Sequence, residues 1–148
     1  MSVSRVLIID DSPLYADLLI KGFNKFNIEA RAIDDSFDVI EEASKFNPDF
    51  IILDIMMPNK SGFELCELLK TNPNTIRIPI IFVSANEDAD SVIKSIHVGC
   101  IDYIKKPVNI ESLVKTLISH DFQTPIKESL SYMRQCVSEF REKYNVNS

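Results

Sequence analysis

The sequence predicts an α/β fold, an open, doubly wound parallel sheet of five strands with helices on both faces. Two patterns carry that prediction. Short β-branched runs alternate with longer segments of helical period, five times within residues 5–121. The strongest runs, Val6-Leu7-Ile8-Ile9 and Phe50-Ile51-Ile52-Leu53, show no polar alternation, as expected of strands buried on both faces. No internal repeat or low-complexity stretch interrupts the alternation, and 148 residues suit one ordinary domain with an appendage.

Each element follows from local chemistry. After the first strand, Ser12 is placed to cap a helix with Pro13 at its first position, and Leu14, Leu18, Leu19 and Phe23 recur at helical spacing. Glu29 to Ile33 is a weaker strand. Asp35 or Ser36 is expected to cap the next helix, which carries Val39, Ile40, Ala43 and Phe46. Asn47-Pro48-Asp49 then punctuates, and the strand that begins at Phe50 ends at Asp54. A turn from Pro58 to Gly62 leads into a helix with Phe63, Leu65, Cys66, Leu68 and Leu69. Pro79 to Val83 reads as the fourth strand, Asp88 to Val98 as the fourth helix and Tyr103-Ile104-Lys105 as a short fifth strand. Asn109 caps a last helix carrying Leu113, Val114, Leu117 and Ile118.

Composition narrows the function classes. With 45% hydrophobic and 26% charged residues there is material for a real core, which excludes a disordered tail or a linker. Sixteen Lys and Arg against 22 Asp and Glu give a net charge of −6 and a pI near 4.9, so no direct nucleic-acid partner is expected. No apolar run approaches the roughly 18–20 residues of a membrane span, and the first five residues lack signal-peptide character. Cys66, Cys100 and Cys136 are widely spaced without a Cys-x-x-Cys pair and read as reduced, mostly buried thiols. The expected setting is cytoplasmic.

In a doubly wound sheet, sites lie beyond the carboxyl ends of the strands. Asp10-Asp11 stands there after the first strand, Asp54 after the third, Ser84 after the fourth and Lys105-Lys106-Pro107 after the fifth. Carboxylates converging from separate strands repel one another and call for a cation. Hard oxygen ligands with open positions suit Mg²⁺, and a lysine and a hydroxyl beside it would cradle a phosphoryl group.

Several motifs in order resemble the receiver domain of two-component response regulators, the family of the chemotaxis regulator. Ile8-Ile9-Asp10-Asp11-Ser12 matches the acidic pair, and Asp54-Ile55-Met56-Met57-Pro58-Asn59-Lys60-Ser61-Gly62 the phosphoacceptor loop. Val83-Ser84-Ala85 matches the switch hydroxyl, and Gly99-x-x-Asp102-Tyr103 with Lys106-Pro107 the closing motif. The match covers residues 5–120 and implies a flavodoxin-like strand order of 2-1-3-4-5.

The resemblance also implies roles. Asp54 is the expected nucleophile toward a histidine kinase's phosphohistidine, with a histidine kinase or phosphotransfer protein as donor. Asp11, Asp54 and the backbone carbonyl of Met56 would hold Mg²⁺, with Asp10 contributing directly or through water. Lys106, which directly precedes the proline, would pair with Asp54 at rest and with the phosphoryl group afterwards, and Lys106-Pro107 is a candidate cis peptide. Ser84 and Tyr103 would form the switch. Output is expected as a contact between residues 88–119 and a downstream protein, because no reading helix or enzymatic signature is present.

Other classes fit less well. A dinucleotide-binding enzyme needs a glycine-rich turn where this chain has Asp10-Asp11-Ser12-Pro13. A haloacid-dehalogenase-type phosphatase needs a second aspartate two residues after the first, which neither Asp10 nor Asp54 has. A binding module that no longer signals through phosphate usually lacks the acceptor, the lysine or one of the acidic pair, all of which are present here. His97 and His120 have no metal-ligand spacing and read as surface or boundary histidines. Met56 and Asn86 occupy positions that in this family modulate dephosphorylation.

Residues 1–121 read as the folded unit and 122–148 as a C-terminal helical extension. The extension carries four basic and three acidic residues, net +1, against 12 basic and 19 acidic, net −7, before it. Thr124-Pro125 restarts a helix in which Ile126, Leu130, Met133, Val137, Phe140 and Tyr144 form a short heptad seam. The seam makes residues 125–144 one candidate homodimer surface, and the 88–119 face is the other.

Overall fold

The computed structural model describes residues 3–85, 88–121 and 143. The chain alternates β1 (Arg5–Ile9), α1 (Pro13–Asn24), β2 (Glu29–Ile33), α2 (Val39–Phe46), β3 (Phe50–Asp54), α3 (Gly62–Thr71), β4 (Ile80–Ser84), α4 (Ala89–His97), β5 (Asp102–Lys105) and α5 (Ile110–Asp121). All strand pairings are parallel, and the sheet order is β2-β1-β3-β4-β5. The five-stranded flavodoxin-like order expected from the sequence is the one observed.

Strand alternation divides the core in two. Leu7, Ile9, Ile51, Leu53, Ile80 and Phe82 pack on one face with Val39 and Ala43 of α2 and Leu65, Cys66 and Leu69 of α3. Val6, Ile8, Ile52, Ile81 and Val83 pack on the other with Ala16, Leu19 and Phe23 of α1 and Leu113, Val114 and Leu117 of α5. By the same period of two, Asp10, Asp54 and Lys106 follow Ile8, Ile52 and Ile104 toward the α1/α5 side. Tyr103, like Phe82, belongs to the opposite face, and Ser84 follows Phe82 there.

Three helical details differ from expectation. Asp38, not Asp35 or Ser36, caps α2, its carboxylate accepting from the Glu41 N–H at 3.1 Å. Leu14 and Leu18 continue the helical spacing of α1 yet are 74% and 59% exposed, because the buried stripe runs through Ala16, Leu19 and Phe23. Leu68 is exposed on α3 for the same geometric reason. The Ser12 cap with Pro13, and the Asn109 cap on the Ser112 N–H at 3.0 Å, stand as expected. Cys66 and Cys100 are free and buried, and burial pushes their thiols up to about 12 and about 11, so both are unreactive. Among the described residues, no helix is long and apolar enough to cross a membrane. Asn86, Cys136, Thr124-Pro125 and the seam from Ile126 to Tyr144 lie outside the described residues.

Gly62 shows why the loop after β3 needs a glycine. Its N–H donates to the Ile55 carbonyl at 2.8 Å, and a Cβ there would lie 2.3 Å from the Asp54 carbonyl oxygen. No flexible side chain is available to yield, so the backbone must. Gly62→Ala is expected to cost about 1–3 kcal/mol, the usual range for overpacking, measured as a lowered urea midpoint with an unchanged m value.

Candidate functional site

β1 and β3 are neighbours, so their carboxyl ends deliver Asp10 and Asp54 side by side. Asp11 follows directly, and carboxylate oxygens of Asp10, Asp11 and Asp54 all lie within 4.8 Å of one another. Asp10 and Asp54 are buried and Asp11 is exposed, so the group opens to solvent on one side. Asp10 also turns the chain into α1 by accepting the Ser12 N–H at 2.9 Å.

The described cation is Lys106. Its Nζ lies 3.0 Å from Asp10 Oδ2 and 3.6 Å from Asp54 Oδ1. The expected pairing with Asp54 is present, but the shorter contact goes to Asp10. Lys106 N donates to the Ser84 carbonyl at 2.8 Å, which ties the lysine's backbone to the end of β4. The Lys106-Pro107 peptide is cis. Lys105 is exposed and falls on the opposite side of the sheet by alternation.

Among the described residues, the Lys106 ammonium alone does not balance these three carboxylates. Burial, then the charge of Asp10, pushes the Asp54 carboxyl up to about 6, against the pull of Lys106 and the Met56 N–H; Asp11 adds to the rise. An oxygen-only donor set with uncompensated charge and an open side fits a hard divalent cation. Met56 is 65% exposed at the mouth. Ser84 is fully buried, and Tyr103 is half-buried against the α2/α3 side of the core.

Three participants were not foreseen from the sequence. Asp35 is a buried carboxylate in the loop after β2, and it accepts the Asn59 N–H at 2.8 Å and the Lys60 N–H at 3.1 Å. Burial works to raise its pKa, but these N–H groups outweigh that and hold it below the ordinary carboxylate range. It thereby pins the loop that follows Asp54. Tyr15 lays its ring against Lys106, with Nζ 4.2 Å from the ring centroid. Its phenol is pushed up to about 12, chiefly by burial, so the ring is neutral. His120 Nε2 lies 3.1 Å from Asp102 Oδ2 and joins the end of α5 to β5, where the sequence suggested only a boundary histidine. The Asp35 and Tyr15 contacts cross between loops and helices far apart in sequence, and no local pattern signals them.

Residues 6–118 match the response regulator receiver domain. The chain belongs to that family. The receiver is 30% identical over 115 residues to the protein PilH of Pseudomonas aeruginosa, covering 78% of this chain and 95% of that one. It is 30% identical over 120 residues to a probable cyclic di-GMP phosphodiesterase of Vibrio cholerae, but covers only 27% of it. The chain spans about a quarter to a half of several curated relatives, including the DNA-binding response regulator MtrA of Mycolicibacterium smegmatis, of which it covers 47%. Among solved structures, the chemotaxis protein CheY4 of Vibrio cholerae superposes with a TM-score of 0.74 at 25% identity, covering 80% of this chain and 98% of that one.

The raised Asp54 pKa fixes a pH dependence. In the unfolded chain Asp54 titrates near 4, so the folded receiver binds its proton more tightly. The stability this confers is full below about pH 4 and is lost as pH rises through about 6. Without divalent metal, Asp54→Asn is expected to raise the melting temperature at pH 7.5, with the gain shrinking steadily toward pH 4. Melting curves of both proteins across that range check it.

Proposed function

We propose that this receiver accepts a phosphoryl group on Asp54 and converts it into a changed protein-binding surface. The observation that carries the reading is the convergence of Asp10, Asp11, Asp54 and Lys106 at one sheet edge. Above about pH 6 Asp54 is ionised and nucleophilic. One of its carboxylate oxygens attacks the phosphorus of a phosphohistidine on a histidine kinase or phosphotransfer protein. The P–N bond breaks, its electron pair stays on the imidazole, and an acyl phosphate forms. Mg²⁺, held by Asp11, Asp54 and the Met56 carbonyl with Asp10 directly or through water, would supply charge neutralisation for the transferring group. Lys106 shifts from the carboxylates to the phosphoryl oxygens, and Ser84 donates its hydroxyl to them.

Ser84 moving toward the phosphoryl group leaves space on the face it shares with Tyr103. A rotamer change of Tyr103 then alters the surface of α4, β5 and α5, residues 88–119, where a downstream protein or a second copy would dock. Phosphorylation shifts this equilibrium only as far as it binds the two states differently. The chain's chemistry is confined to its own phosphorylation and dephosphorylation, in a cytoplasmic setting where thiols such as Cys66 and Cys100 stay reduced.

Incubation with acetyl phosphate or a phosphorylated kinase and Mg²⁺, followed by intact-mass analysis, tests the reading. One hydroxylamine-sensitive phosphoryl adduct is expected on the wild type and none on Asp54→Asn; full labelling of the variant would overturn it. Beryllofluoride with Mg²⁺ should shift the amide spectrum around Ser84 and Tyr103, and an unchanged spectrum would leave a binding module indifferent to phosphate.

The donor protein's contact is proposed on α1, the helix that begins two residues after Asp11, where Leu14 and Leu18 present bare apolar surface. Leu18→Asp is expected to slow transfer from a phosphorylated kinase about tenfold or more while leaving labelling by acetyl phosphate within about twofold, which is the loss of roughly 1.4 kcal/mol or more of docking energy. Parallel time courses with the two donors separate these effects.

A further inference from the structure

Tyr15 flanks the pocket, and nothing in the phosphoryl-transfer chemistry above gives it a task. It lies in the first turn of α1, where the Ser12 hydroxyl accepts its backbone N–H at 3.3 Å. The ring is half-buried and packs with the α1/α5 side of the core. Its phenol oxygen is buried without a hydrogen bond of normal geometry, although the Val108 backbone contributes a polar interaction with it. The ring is thus wedged between α1 and the loop that carries Lys106. The 4.2 Å separation between Lys106 Nζ and the ring centroid is well inside the ~6 Å reach of a cation–π contact.

The other two contacts of the ammonium change during the proposed reaction. Asp10, the closer one, would turn to the metal directly or through its water, and Asp54 becomes an acyl phosphate. An ammonium seated by those oxygens alone would have to be placed again when its charge is needed. A neutral ring face takes up neither metal nor phosphoryl and keeps its place throughout. We propose that Tyr15 is a positioning residue whose ring face holds the Lys106 ammonium in the pocket while its carboxylate contacts are exchanged. This rests on the reading of Asp54 as phosphoacceptor. It acts through electrostatic preorganisation, a donor fixed before the charge develops.

Tyr15→Phe keeps the ring face and Tyr15→Leu removes it, so the two variants separate the face from the hydroxyl. Labelling rates with acetyl phosphate and Mg²⁺, read by intact mass, are expected to stay within about twofold of wild type for Tyr15→Phe. For Tyr15→Leu they are expected to fall about three- to tenfold. The Lys106 side-chain methylene resonances of the wild type should be shifted upfield by the ring, a measurement that needs no variant. Wild type that takes no label would refute the phosphoacceptor reading itself. Labelled wild type with Tyr15→Leu equally fast, with Tyr15→Phe as slow as Tyr15→Leu, or with unshifted Lys106 resonances would refute the role of the ring.

Discussion

Like charges a few ångströms apart in a partly buried pocket repel one another, and the sheet holds Asp10, Asp11 and Asp54 with carboxylate oxygens within 4.8 Å. Lys106 offsets part of that repulsion through Asp10 and, at 3.6 Å, through Asp54. The remainder appears as the raised pKa of Asp54. A site in this condition gains from a bound divalent cation, and the Asp54 carboxyl, the proposed acceptor, is ionised at neutral pH while still stabilised by a nearby ammonium. Stability is given up at the place where the chemistry is needed.

The fold makes that arrangement hard to relax. Both buried aspartates sit at the ends of adjacent central strands whose apolar residues are all buried, so their backbones cannot separate without moving the sheet. On the loop after β3, the Asp35 carboxylate pins Asn59 and Lys60, and the close approach of Gly62 to the Asp54 carbonyl fixes the start of α3. Strand alternation sends Asp54 and Lys106 to one side and Ser84 with Tyr103 to the other. The proposed acceptor chemistry and the proposed readout therefore occupy opposite sides of one sheet edge, with Ser84 at the junction.

Much of this was legible in sequence because it is local. Uninterrupted apolar runs marked β1, β3 and β4, Ser12-Pro13 marked the start of α1, and acids at strand ends marked the site. What was not legible depends on three-dimensional context. Asp38 displaced Asp35 as the α2 cap because Asp35 is turned inward to the loop after β3, a contact spanning 24 residues. Leu14 and Leu18 share a helical spacing with Leu19 and Phe23, but the angular position of the buried stripe is set by how α1 sits on the sheet. Lys106 lies closer to Asp10 than to Asp54 although β3 and β4 both stand between β5 and β1, because its side chain reaches back across the edge. Tyr15 beside Lys106 and His120 beside Asp102 are likewise meetings of distant segments.

Electrostatic frustration at Asp54, relieved by a divalent cation, poises the site. Direct titration of the Asp54 carboxyl carbon by ¹³C NMR, with and without Mg²⁺, tests it most directly. An apparent pKa near 6 is expected in the metal-free protein, falling markedly when Mg²⁺ is added and returning toward the ordinary range in Asp10→Asn, because the charge of Asp10 is a principal cause of the rise after burial itself. A metal-free value near 4 that neither Mg²⁺ nor Asp10→Asn moves would contradict it.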